Sequence, residues 1–241
     1  IWQEFRQKIY DAYGGSAAVG TGWVSNTHFE PHVADRIFKE MATAEPSLQV
    51  LFRHRFVDVV KEGTRVRGAV LEDLATGRRV EVHAKVVADG TDLGDVLARA
   101  GAAFDVGLEA DAVSGENAGI AASSDVVQDL TWCAILKEYG PGADRTIPRP
   151  EGYDPAEFDC SSTSYCKDAT REKPTVDARK MLDYARLPSG KYLVNWPNHG
   201  NDTYLNVVGL DAAAREKALE AAKATTLRFV SFTQHDRGFR N

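Results

Sequence analysis

The residues from Asn195 to Asp202, reading NWPNHGND, hold more chemistry per position than any other stretch of the chain. Asn195 and Asn201 bring paired donors and acceptors, Trp196 a flat apolar face and Asp202 a carboxylate. His199 is the one side chain among them that gains and loses a proton near neutral pH, so acid–base work on a small substrate would fall to it. In that reading Asp202 orients the imidazole, Asn195 holds a substrate oxygen, and Trp196, Asn201 and Tyr204 shape the substrate pocket. The same composition also makes an ordinary turn. Asn195 and Asp202 would then only hold the loop through side-chain to main-chain bonds.

A second constellation is the turn Asp89-Gly90-Thr91. It follows an apolar run, Lys85 to Ala88, and precedes a helical pattern with Asp92 or Gly94 near its start and Leu93, Val96, Leu97 and Ala100 on one face. A buried strand that runs into a glycine-containing turn and then a helix is how an α/β sheet presents a ligand site at its carboxyl edge. Other patterns fall short. Gly15 and Gly20 have the glycine spacing of a phosphate loop, but Thr21 stands where a lysine is required and no strand precedes them. His28 and His32 are four apart with Pro31 starting a helix between them, and Cys160 and Cys166 lack a matching pair, so no metal site is expected. No Gly-x-Ser-x-Gly elbow occurs, and His235-Asp236 reads as the end of a helix, where a histidine is electrostatically favoured.

The elements that must position these residues follow from periodicity. Trp2, Phe5, Ile9 and Tyr13 predict a helix stopped by Gly14-Gly15, a glycine-rich linker runs to Gly22, and Pro31 opens a second helix bearing Val33, Ile37, Phe38 and Met41 and ending near Glu45-Pro46. Between Leu48 and His83 the period changes. LQVLF, FVDVV, VRGAVLE and RRVEVHA predict a strand followed by an antiparallel meander, and Lys85 to Ala88 a further strand. Residues 139–174 hold five of the nine prolines and two of the three cysteines, which predicts a long irregular excursion. Lys191 to Val194 and Tyr204 to Val208 read as the two strands of a β-hairpin with NWPNHGND at its tip. Asp211 caps a last long helix with Ala218, Ala222, Thr225, Phe229 and Phe232 along one side.

Composition bounds the rest. A chain of 241 residues can bury a sizeable core as one large or two small domains. The formal charge of −6, with 29 scattered basic residues, argues against a nucleic-acid groove or a polybasic membrane surface and for a small-molecule ligand. Three cysteines leave one unpaired, which disfavours a disulfide framework while leaving a single bridge open. No apolar stretch approaches a membrane span and no signal segment is evident, so a soluble chain is expected, with the cytoplasm slightly favoured over secretion.

Taken together, IWQEF, FEPHVA, the meander, VVADGTDLGDVLARAGAAFDVGLE, NWPNHGND and FTQHDRG resemble a bacterial family of FAD-dependent oxidoreductases with a glutathione-reductase-like flavin fold. NWP-x-HGND is the most specific part of the likeness. The resemblance implies a mixed α/β (α+β) fold: a partial FAD-binding, Rossmann-like domain with a β-meander over residues 1–102, and a substrate domain with a β-hairpin and long C-terminal helix over 103–241. It implies FAD as cofactor, with Asp89, Gly90 and Thr91 beside its nucleotide part, the main chain of Val57 near adenine and Glu30 near the adenosine ribose. It implies hydride transfer from a small organic substrate to flavin, with His199, Asn195, Asp202 and Tyr204 as the catalytic group. The family's opening strand, GxGxxG and helix are not in the sequence, so the chain reads as an internal fragment that binds FAD weakly or not at all and is inactive alone. Two other readings stay open: a polysaccharide lyase, with Asn195 neutralising a uronate and His199 and Tyr204 acting as base and acid, and a non-catalytic ligand-binding module.

Overall fold

The computed structural model describes residues 1–241. They form two compact units, one of residues 1–44, 128–205 and 212–241, the other of residues 45–127 and 206–211. The architecture is the expected mixture of helices, an antiparallel meander and a long C-terminal helix, and every strand pairing is antiparallel.

The first unit opens with helices α1 (Trp2–Tyr13) and α2 (Pro31–Thr43). Gly14 ends α1 in the left-handed conformation that glycine adopts without steric penalty. Phe5 and Ile9 of α1 close a small core with Val33, Ala34 and Ile37 of α2. The linker between the helices is not featureless: a 3-10 turn, Ser16–Val19, drops Val19 into the same core. Phe38 lies outside it yet stacks flat on Phe5 at 4.2 Å.

A larger core is built by the rest of this unit. Helix α6 (Ala212–His235) runs for 24 residues and changes character along its length. Its first turns are solvated, whereas Phe229 to Gln234 are buried on every side, as happens when a helix end is enclosed rather than laid on a surface. Phe229 and Phe232 meet Phe158, from a 3-10 turn inside the irregular 139–174 segment, with ring centroids 5.1 and 5.4 Å away. The short strand β4 (Leu130–Thr131), β5 (Ala134–Lys137), helix α5 (Ala178–Asp183), β6 (Arg186–Leu187), β7 (Lys191–Val194) and β8 (Asp202–Thr203) complete the unit.

Strand β7 is the centre of a three-stranded sheet ordered β5-β7-β6. Both its edges are therefore occupied, so it cannot pair with the residues after NWPNHGND. The expected hairpin is absent: β8 pairs with β4 instead, and residues 204–207 are not strand. A single disulfide joins Cys160 to Cys166, and Cys133 is free.

The second unit is the meander of β1 (His54–Glu62), β2 (Arg65–Asp73) and β3 (Arg79–His83), followed by the short helices α3 (Asp95–Ala100) and α4 (Asp111–Ser114). Two expected strands do not form. Leu48 to Phe52 is irregular and exposed, and pairing beyond β3 ends where the Ala84 amide bonds the Arg67 carbonyl. β2 begins at Arg65, two residues before Arg67, so Lys85 to Ala88 has almost no partner strand, and Val86 lies in solvent. No residue of the face expected of helix α3 is fully buried. No helix of the chain is long and apolar enough to cross a membrane.

Phe229 is fully enclosed, so Phe229→Ala should lower the unfolding free energy by about 3–5 kcal/mol. Urea unfolding followed by far-ultraviolet circular dichroism measures it, and a loss below about 1 kcal/mol would mean that this aromatic cluster does not hold the unit together.

Candidate functional site

The NWPNHGND loop leaves β7 at Val194 and returns at β8, and its conformation is set by one buried amide. Asn201 is fully enclosed, its Oδ1 accepts the Trp196 amide N–H at 2.9 Å, and its Nδ2 lies within hydrogen-bonding distance of the carbonyls of Val194 (3.2 Å) and Trp132 (3.3 Å) and of Thr226 Oγ1 (3.4 Å). The Asn201 backbone N–H closes the turn on the Trp196 carbonyl at 3.1 Å. Gly200 makes that turn possible, since an added Cβ would land on the Trp196 carbonyl oxygen. The indole of Trp196 is 3 % exposed, donates from Nε1 to the Ser161 carbonyl at 2.8 Å, and meets Tyr184 edge to face at 5.4 Å.

The remaining loop residues face outward. His199 is exposed, carries φ +52°, and makes no side-chain hydrogen bond. It shares a pocket of about 140 Å³ with Asn198, Cys160, Glu172, Lys173, Pro174 and Thr175. Asn195 is half-buried and Tyr204 exposed, both with free polar atoms. Asp202 does not touch His199; its carboxylate accepts the Thr131 hydroxyl across the β4–β8 pair. The predicted group thus divides: Asn201, Trp196 and Asp202 are engaged in holding the loop, while His199, Asn195 and Tyr204 keep their polar atoms available.

The residues expected near a nucleotide fall in both units, Val57 and Asp89 to Thr91 in the second and Glu30 in the first. In the meander, the β1–β2 register shifts between Phe56 and Asp58, which leaves Val57 as the extra residue with no partner across the ladder. The Asp89 carboxylate accepts the Thr91 hydroxyl at 2.7 Å and amide at 2.9 Å and reaches the Leu97 amide at 2.8 Å, and Thr91 Oγ1 accepts the Asp95 amide at 2.8 Å. These donors, the Thr91 hydroxyl foremost, hold the Asp89 carboxyl below the usual carboxylate range. Gly90 faces open space. Glu30 belongs to the other unit and is 5 % exposed, where its carboxylate is paired with Lys191 and accepts the Tyr13 hydroxyl at 2.6 Å. Burial alone would raise Glu30; the hydrogen bonds from Lys191 and Tyr13 overcome it and leave the carboxyl below its ordinary value. Tyr13, itself desolvated and bonded to Glu30, is pushed up to about 12.

Sequence reasoning missed a second polar centre on the same sheet. Tyr192 of β7 donates to Glu138 Oε2 at 2.7 Å and accepts from Arg179 Nη2 at 2.8 Å, while Arg179 also binds Asp183. Burial, then the Glu138 carboxylate, raises the Tyr192 phenol. Glu138, Arg179 and Tyr192 line two cavities of about 380 and 450 Å³. Only the alternation in Lys191-Tyr192-Leu193-Val194 hinted that Tyr192 points inward, because its partners are 13 and 54 residues away. No cluster of three or more His, Cys, Asp or Glu side chains suits a metal ion.

Asn201→Ala should cost about 2–3 kcal/mol, because it strands the buried Trp196 amide and removes the side-chain donor to the Val194 carbonyl, while the Trp132 carbonyl keeps Thr226. Equilibrium unfolding tests this, and a near-zero change would show that the amide is not the anchor. Acid should weaken the first unit through Glu30. A depressed carboxyl contributes stability that is complete above its unfolded value, near 4.5, and is lost as pH falls through its folded one. Glu30→Gln should therefore flatten the loss of stability as pH falls below about 4.5, and an unchanged slope would remove Glu30 from acid sensitivity.

The model of the family described as FAD dependent oxidoreductase matches residues 1–241. No curated protein and no solved structure matches the chain. The match spans the meander, the NWPNHGND loop and the C-terminal helix alike, and the chain belongs to the FAD dependent oxidoreductase family.

Proposed function

We propose that this chain is the substrate-handling part, with some of the cofactor-binding part, of an oxidoreductase that removes hydride from a small organic substrate. The observation that carries the reading is the His199 pocket. A loop anchored through the buried Trp196 and Asn201 presents an unbonded imidazole to a small cavity, in a backbone conformation with φ +52° that the Asn201 anchor maintains.

His199 takes the proton released at the substrate heteroatom, since imidazole is the side chain suited to proton exchange near neutral pH. Asn195 offers a substrate oxygen its amide N–H. Asn195 and Tyr204 lie outside the lining of the His199 cavity and would meet a substrate that extends beyond it, and within the cavity the charges of Lys173 and Glu172 offset each other. Trp196, Asn201 and Asp202 act as positioning residues through the bonds that fix the loop.

FAD, when bound, supplies the two-electron acceptor. The residues present fit its adenosine end. Val57, at the bulge, has no residue of its own opposite it in the ladder and would turn its main chain to the edge of a flat heterocycle, and the Asp89-Thr91 turn has open space over Gly90 for a close approach. No strand, GxGxxG turn and helix occurs among residues 1–241 to cradle the pyrophosphate, so the contacts assigned to this chain stop at the adenosine half. Residues 1–102 would supply these contacts and residues 103–241 the substrate contacts.

In an active flavoenzyme that contains this chain, His199→Ala should lower turnover by about 10²–10⁴-fold while flavin content stays the same. An unchanged rate would take His199 out of the reaction. A Cβ added at Gly90 meets no neighbouring atom within the chain, so Gly90→Val should leave the melting temperature unchanged and reduce flavin retained after desalting. Full retention would place the nucleotide elsewhere.

A further inference from the structure

The wall of the His199 pocket contains a cystine. Cys160 lines the cavity and is 1 % exposed, whereas its disulfide partner Cys166 is partly open to solvent. The two sulfurs therefore differ in the direction from which they can be reached. An external thiolate can approach only Cys166, and the sulfur expelled is Cys160, inside the pocket.

The surroundings favour that expulsion. Lys173 shares the cavity with Cys160, with Glu172 opposing its charge and the His199 imidazole as a further polar neighbour, and a cationic neighbour stabilises a leaving thiolate. The loop between the cysteines is also held without the bridge. Asp159 accepts the backbone N–H groups of Lys167 and Asp168 at 2.9 and 2.7 Å, and the Cys160 amide bonds the Tyr165 carbonyl at 2.7 Å. Those bonds keep the two thiols near each other after reduction, which makes re-oxidation local and fast. Cys160 itself sits at φ +67°, a conformation unfavourable for a side chain with a Cβ, and once the bridge opens only the loop's hydrogen bonds oppose its relaxation. The next residue, Ser161, is the acceptor of the Trp196 indole N–H, and Trp196 is the anchor of the His199 loop.

We propose that Cys160–Cys166 is a thiol-exchangeable disulfide, attacked at Cys166 by an external dithiol, and that its opening moves Trp196 and the His199 loop. One thiolate of the dithiol forms a mixed disulfide with Cys166 as the Cys160–Cys166 bond breaks and Cys160 leaves with the electron pair. The second thiolate of the reagent then displaces Cys166. The dithiol ends as its cyclic disulfide, two electrons reside on the cysteine pair, and the new thiolates take protons from water. Only the effect on turnover rests on the reading of His199 given above; the exchange and the loop movement do not.

The test is a dithiothreitol titration of the folded chain, with free thiols counted beside indole fluorescence and the His199 imidazole resonances. The thiol count should rise from one to three at reductant concentrations that leave far-ultraviolet circular dichroism unchanged, with fluorescence and the His199 signals shifting together and returning on re-oxidation. Cys133→Ser should keep the full response. Cys166→Ser should show the reduced-state signals permanently and ignore dithiothreitol; if it does not fold, the Cys133→Ser titration alone decides. Thiols that appear only as the chain unfolds, or a rise to three with the His199 and indole signals unmoved, would overturn the proposal. If the signals shift but a flavoenzyme containing the chain keeps its rate on reduction, the role of His199 fails and the exchange stands.

Discussion

The buried side-chain amide of Asn201 is the constraint on which the first unit's arrangement depends. It lies against the carbonyls of Val194 and Trp132, accepts the Trp196 N–H, and reaches the Thr226 hydroxyl, so it joins the end of β7, the segment between β4 and β5, the loop and α6. Thr226 reinforces the junction by donating to the same Trp132 carbonyl at 2.6 Å. A polar atom in a dry interior without partners is costly, so only a narrow set of loop conformations satisfies all of these groups at once. The outward residues, His199 above all, inherit their positions from that requirement.

Strand β7 carries a second consequence of the same packing. Its neighbours occupy both edges, and its residues supply one member to each of two charged networks, Lys191 to Glu30 and Tyr13, and Tyr192 to Glu138 and Arg179. The Lys191–Glu30 pair ties the entrance of α2 to the sheet, with Glu30 almost fully enclosed. Removing one partner of such a pair leaves a desolvated charge, which costs more than the pair contributes. The helices α1 and α2, although they have their own small core, are thereby tied to the rest of their unit by a polar contact.

Much of the helical structure was legible in the sequence. Pro31 at the first turn of α2, Gly14 at the end of α1 and the 3.6-residue spacing of Phe5 and Ile9 act within a few residues, so their meaning does not depend on distant partners. The meander was legible for the same reason, since β-branched runs separated by Gly63 and Gly77 pair with their neighbours in sequence. Lys85 to Ala88 has the composition of a strand but almost no partner, and the apolar face of α3 is only half-covered, with Leu93, Val96 and Ala100 partly buried and Leu97 exposed. Local pattern states a preference, and pairing decides whether it is used.

The amino-acid order by itself determined the family, the helices α1, α2 and α6 and the meander, because each rests on short-range spacing or on motif identity. Only the tertiary structure decided which loop residues are anchors and which are presented. It replaced the expected hairpin with a β4–β8 pair 71 residues apart, turned Asp202 toward Thr131, and brought Cys160 to the His199 pocket. These outcomes depend on competition among distant partners for buried hydrogen bonds, and no window of sequence contains both sides of that competition.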